Sequence, residues 1–239
     1  QAAGLGIVVK RCSRSAPEYR LYMMAADNMK RFLTKLAVSA PLLLCTWAAS
    51  GPLQAQVAFQ LSGDHVAINI NGSPFSDFYI GSAYPKPFLW QLRYATGLVV
   101  TRNFPMATVP GESHDHPHHR GLFIGYGEIN GVNFWENERT YKTENRGTIV
   151  IRKLQDLKGG KKSGTLRAQF EWHDPGGANV MDENRTMTFY SDADRRVIDF
   201  DITFVAKINL QWADTKEGFF AIRLADSIRE QNGGLMVNS

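Results

Sequence analysis

The sequence predicts an all-β protein, an antiparallel β-sandwich that is incomplete at its C-terminal end. Three observations predict it. Apolar and polar residues alternate with period two over most of the chain after residue 57, which gives each strand one buried and one wet face. Gly and Asn turn signals punctuate these runs at intervals of about 10 to 20 residues. No segment of helical length after residue 57 carries an apolar stripe of period 3.6. A small closed barrel meets the same pattern and stays open as an alternative.

Each element follows from its local residues. Residues 65–70 (His-Val-Ala-Ile-Asn-Ile) run through Asn71-Gly72 into residues 73–80. Asn-Gly between extended runs signals a hairpin, because both residues accept the positive φ of a type I′ turn. Residues 147–154 and 164–172 form a second pair, joined by the polar loop 158–164. Residues 185–190 and 196–205 form a third, in which Ile198, Phe200, Ile202 and Phe204 alternate with Asp199, Asp201 and Thr203. A further strand covers 218–225, with Arg223 and Asp226 at or beyond its end. Asn130-Gly131 reads as a turn, and residues 136–144 as a short helix or a loop. After the turn Asn232-Gly233-Gly234, the residues Leu-Met-Val-Asn-Ser239 look like the opening of another strand.

The first 56 residues differ in kind. Residues 1–28 show no sustained period and are read as an upstream extension. Residues 29–55 have the order of a secretory signal peptide: a basic start at Met29-Lys30-Arg31, an apolar stretch over 36–49, and a turn-prone end at Ala55. The apolar stretch is short for a membrane span, which needs about 20 residues. The expected domain is therefore 56–239, in a periplasmic or extracellular space.

Charge follows the same division. Residues 1–56 carry seven Lys/Arg and two Asp/Glu; residues 57–239 carry 20 and 21. The basic balance sits in the first 56 residues, and the domain has no surplus of positive charge for a phosphate backbone. No nucleic-acid partner is expected. Both cysteines, Cys12 and Cys45, also precede residue 57, so a metal in the domain would rest on imidazole, carboxylate, carbonyl or water.

The candidate site is the segment Gly111-Glu-Ser-His-Asp-His-Pro-His-His-Arg-Gly121. Four of the six histidines fall within it, beside Glu112, Asp115 and Arg120. Histidine suits proton exchange near neutrality, and its neutral ring is the commonest metal ligand. Pro117 and the flanking glycines favour a loop or extended segment. Strict alternation would put His114, His116 and His118 on one side and Asp115 and His119 on the other, although Pro117 can break it.

Three blocks carry a resemblance to a known family. They are Lys86-Pro-Phe-Leu-Trp-Gln-Leu-Arg with Gly97-Leu-Val-Val-Thr-Arg-Asn-Phe-Pro105, then Asp115-His-Pro-His-His-Arg-Gly continuing to Asn-Phe-Trp135, then Glu217-Gly-Phe-Phe-Ala-Ile-Arg-Leu-Ala-Asp226. Together they resemble a bacterial family of unknown function labelled methane-oxygenase PmoA-like. The resemblance implies a large, supersandwich-like fold similar to galactose-mutarotase-like proteins, and a carbohydrate-associated role. It does not imply methane oxidation, because the domain has no apolar run near 20 residues.

On that footing two chemistries compete. In the first, a sugar is recognised and rearranged by acid–base exchange: His116 or His119 acts with Asp115 or Glu112, while Glu112, His114, His118, Arg120, Trp135 and Arg223 line the ligand, with Trp90 as a further apolar platform. The pure form of this reading is a non-catalytic sugar-binding module. In the second, His114, His116 and His118 hold Zn, Cu or Fe, with Glu128 as a further candidate ligand. The Gly and Glu spacing of cupins around His-x-His is not met.

Overall fold

The computed structural model describes residues 4–12, 18–26 and 56–234. Twelve strands follow in chain order: β1 (Gly4–Cys12), β2 (Glu18–Ala26), β3 (Val57–Ser62), β4 (His65–Ile70), β5 (Ser73–Tyr79), β6 (Phe88–Trp90), β7 (Leu122–Tyr126), β8 (Thr148–Lys158), β9 (Ser163–His173), β10 (Asn179–Tyr190), β11 (Arg195–Ala206) and β12 (Gly218–Ile222). Two short 3-10 turns, Asp226–Ile228 and Glu230–Asn232, follow. The described residues contain no α-helix. The segment 136–144 is therefore a loop.

The strands form two antiparallel sheets, ordered β1-β2-β11-β10-β9-β8 and β12-β7-β6-β5-β4-β3. They pack face to face as a β-sandwich rather than closing into a barrel. The inner faces supply one core that includes Val66, Ile68, Phe78, Leu89, Leu122, Phe170, Trp172, Met187, Phe189 and Ile198. Edge-on aromatic pairs bridge the sheets, among them Phe78–Phe170, Phe75–Phe189 and Phe200–Phe220. Burial of this kind contributes about 25 cal/mol per Å² of apolar area and is the main force on the fold.

The hairpin signals are realised. Asn71 and Gly72 have φ of 55° and 77° and join β4 to β5. Asn130 and Gly131 have φ of 51° and 75° and close a turn in which Ile129 and Val132 exchange backbone hydrogen bonds. The pairs β8–β9 and β10–β11 match the two long predicted hairpins. Residues 1–28 show no period in the sequence, yet they contain β1 and β2, which pair antiparallel, and β2 pairs with Arg195–Phe200 of β11. The leader at 29–55 and the strand opening at 235–239 lie outside the described residues.

Strands β6 and β7 position the site. Their inner residues Leu89, Leu122 and Ile124 join the inter-sheet core, whereas Phe88 and Phe123 form a second cluster with Trp135. Alternation sends this second set to the opposite face of the sheet. Register aligns Tyr79, Phe88, Phe123 and Ala221 in one row across β5, β6, β7 and β12. That row is the aromatic floor on which the histidine loop lies.

Candidate functional site

The loop is anchored by a buried arginine. Arg102 is 0% exposed and follows Thr101, which bridges to Leu224 just beyond β12. Its guanidinium donates to the Asp115 carboxylate, to the His116 carbonyl at 2.9 Å, and more weakly to Ser113 Oγ at 3.3 Å. A second arginine, Arg223, donates to the same Asp115 oxygen at 2.7 Å. The other Asp115 oxygen lies 2.9 Å from His116 Nδ1. Burial alone raises the Asp115 carboxyl, but hydrogen bonds from His116, Ser113 and Arg102 and the charge of Arg223 hold it well below the usual carboxylate range.

Two further carboxylates fix the loop from below. Glu112 accepts from the backbone N–H groups of Asn103 at 2.9 Å and Phe104 at 2.8 Å. Asp226 accepts from the Ser113 N–H at 2.6 Å and pairs with Arg229 at 3.3 Å. These contacts tie residues 111–115 to the segment 102–104 and to the end of β12.

His116 has φ of +45° and accepts the His119 N–H at 3.0 Å, so the chain turns at Pro117. The turn gathers His116, His118 and His119. His116 and His119 stack 8° from parallel at 5.0 Å, and His118 meets His119 at 4.1 Å. His119 also stacks on Phe123 at 5.6 Å, which seats the cluster on the aromatic floor. His118 shares a 2.7 Å hydrogen bond with the Tyr141 hydroxyl.

Under the rings lies Lys86, 4% exposed, whose Nζ donates to the Trp135 carbonyl at 2.5 Å and to Asn137 Oδ1 at 2.6 Å and sits 4.8 Å from the Phe123 ring centre. Burial and then the Arg120 charge push the Lys86 ammonium down to about 7, against Glu138 and Glu136. Burial first, then the charges of neighbouring histidines, Lys86 and arginines, push His118 to about 2 and His119 to about 3. Both rings are thus neutral at ordinary pH, and one side of His119 is incomplete: its Nε2 is buried without a partner, as is Trp135 Nε1.

A model described as a family of unknown function (DUF6807) matches residues 65–239. The chain belongs to the DUF6807 family. The match begins at the first residue of β4 and takes in the whole histidine loop and β12. No curated protein and no solved structure matches the chain.

In this DUF6807 site the predicted residues divide into those at the surface and those beneath it. Asp115, His116 and His119 are brought together, with Arg223 on the same carboxylate. His114 is exposed and stacks on Phe104 at 4.7 Å, so the set His114, His116 and His118 expected from alternation is replaced by His116, His118 and His119. The reason is the left-handed backbone at His116, which reverses the chain. Among the described residues no three His, Cys, Asp or Glu side chains gather as a metal-ligand set. His118 is 2% and Trp135 6% exposed, which makes them supports rather than ligand-facing walls. Arg120 is committed to a buried ion pair with Glu138, between Tyr84 and Phe88. Trp90 is half-buried and donates from Nε1 to the Arg102 carbonyl at 3.1 Å. A shallow cleft of about 60 Å³, lined in part by Tyr84, Lys86 and Ile149, touches none of the histidines.

Sequence reasoning missed Arg102, Lys86, Glu138 and Tyr141 as parts of the site. The available signal was a charged residue set inside an apolar run, as in Val-Val-Thr-Arg-Asn-Phe and Pro-Lys-Pro-Phe-Leu-Trp.

The neutral rings predict a pH dependence. The folded pKa values of His118 and His119 lie below the ordinary value near 6.5, so acidification protonates the unfolded chain first. Their contribution is complete above pH 6.5 and falls as pH drops toward 3. Lys86 acts in the same direction in a higher window, complete above 10.5 and lost as pH falls toward 7. Each group changes stability by at most about 1.4 kcal/mol per pH unit. Urea midpoints should therefore decline from pH 9 through 7 to 5, and His118→Phe should flatten the acid limb. Equal midpoints at pH 7 and pH 5 would show that the rings are solvated.

Proposed function

We propose that the histidine loop binds a carbohydrate and exchanges protons with it, in an exported protein of the PmoA-like, galactose-mutarotase-like type. The observation that carries the reading is the Asp115–His116 pair. An ionised carboxylate 2.9 Å from His116 Nδ1 favours the tautomer protonated there, with Nε2 free to accept, and the His116 side chain is 50% exposed. A ring so fixed can take the proton of a sugar hydroxyl, the first step in opening or epimerising a hemiacetal. His119, stacked behind it, keeps the ring plane in place. Arg223 and the exposed His114 offer hydrogen-bond donors at the same surface.

The test is a sugar screen by thermal shift, followed by turnover of any binder measured by NMR of its anomeric signals. His116→Ala should lower turnover about 10²–10⁴-fold and leave binding nearly intact. Asp115→Asn should also lower turnover, because an amide no longer stabilises the protonated ring. Equal loss of binding and turnover in His116→Ala would point to a recognition module with no catalytic step. If the leader acts as read, cleavage also removes β1 and β2 and the exported product begins near Gln56 or Val57, which N-terminal sequencing would check.

A further inference from the structure

We infer that the ligand of this loop carries a carboxylate, as in a uronic acid, and that Arg223 receives it. The inference rests on the carbohydrate reading above and names its substrate class. It comes from guanidinium donors left free beside the exposed imidazole. Two guanidinium groups, Arg102 and Arg223, meet one carboxylate and share a single oxygen of it.

The neighbouring carboxylates make no hydrogen bond to Arg223, although the Asp226 charge acts on it from nearby. Glu112 serves backbone N–H groups of Asn103 and Phe104. Asp226 serves the Ser113 N–H and pairs with Arg229. Arg102 is sealed at 0% exposure, and its Nη groups are engaged by Asp115, Ser113 and the His116 carbonyl. Burial and then the adjacent Arg223 charge lower its pKa, against Asp115 and Asp226.

Arg223 is the arginine of the pair that reaches the surface, with its side chain 22% exposed. Its contacts among the described residues are through Nη2, to Asp115 and, at 3.5 Å, to Ser113 Oγ. No hydrogen bond among those residues engages its Nη1 or Nε. Guanidinium presents donors in a planar fork that fits a carboxylate. The same Asp115 that orients Arg223 orients His116, so a carboxylate on Arg223 would set the sugar ring beside the exposed imidazole.

The experiment is calorimetric titration of the full chain with glucuronate, galacturonate, glucose, galactose and lactate. Proteins are the unmodified chain, Arg223→Gln and Arg223→Lys, each checked by thermal melting without ligand. The expected result is that the uronates bind about tenfold or more tightly than their neutral counterparts, and less tightly as salt rises. Arg223→Gln should erase that preference. Arg223→Lys keeps the charge and the Asp115 pair but loses the fork, and should erase most of it; it carries the test if the Gln variant fails to fold.

Uronates and neutral sugars bound equally, or a preference unchanged in both variants, would overturn the carboxylate inference and leave the carbohydrate reading standing. Lactate bound with the same Arg223 dependence, and no sugar bound, would keep the carboxylate contact and overturn the sugar. No binding by any of the five would overturn both.

Discussion

Glu183→Ala is expected to lower the stability of the fold by about 3–5 kcal/mol, the largest effect of any substitution considered. Glu183 is 0% exposed on the inner face of β10. Its carboxylate accepts from Arg185 Nε at 2.6 Å and from Trp172 Nε1 at 2.9 Å. The guanidinium of Arg185 is packed 4.7 Å from the Phe170 ring centre, and its Nη2 has no partner. Removing Glu183 would strand a full positive charge between two sheets and leave an indole N–H without an acceptor. Urea denaturation measures the loss directly. Replacing both residues by Met should restore most of the stability, because the unpaired charge goes with the pair. A loss below about 1 kcal/mol in Glu183→Ala would mean that water reaches the pair and the core is not sealed there.

Gly121→Ala is the second large effect, and it links scaffold to site. Gly121 joins the histidine loop to β7, has φ of +53°, and its carbonyl accepts the Arg223 N–H at 2.7 Å. A Cβ there would stand 2.0 Å from the Leu89 carbonyl oxygen, a backbone atom of β6. Relief requires β6 and β7 to separate, which would displace both Arg120 and Arg223. The left-handed backbone costs an alanine about 1–2 kcal/mol, and the forced shift roughly as much again, for a total of about 2–4 kcal/mol. Gly97→Ala supplies the comparison. Gly97 has φ of +89° with nothing within 4 Å of a built Cβ, so it isolates the backbone contribution. Equal losses in the two variants would show that the contact with Leu89 is relieved at no cost.

The elements legible in the sequence are those with one wet face or a decisive turn. Asn71-Gly72 names its hairpin because few other residues accept two successive positive φ values. Residues 198–204 alternate because β11 has solvent on its outer side, and burial of its inner residues eases toward Ala206. Strands β6 and β7 escaped notice for the opposite reason. Phe88-Leu-Trp90 and Leu122-Phe-Ile124 are apolar on both faces, one toward the core and one toward the aromatic floor, so no period of two survives. The site loop was legible as a concentration of histidine, but its geometry was not. Alternation assigned His114 to the cluster, and a single left-handed residue at His116 put His119 there instead.

The residues of this chain determined by themselves that it is built of strands, where the sharp turns lie, and which loop concentrates ionisable groups. Those properties depend on neighbours a few positions apart. Only the tertiary structure decided that Arg102 and Arg223 meet one carboxylate, that Lys86 lies beneath the rings, and that His118 is sealed while His116 faces out. Partners 13 and 108 positions from Asp115 are brought to it by strand register and sheet packing, and the burial that sets their charge exists only once both are in place.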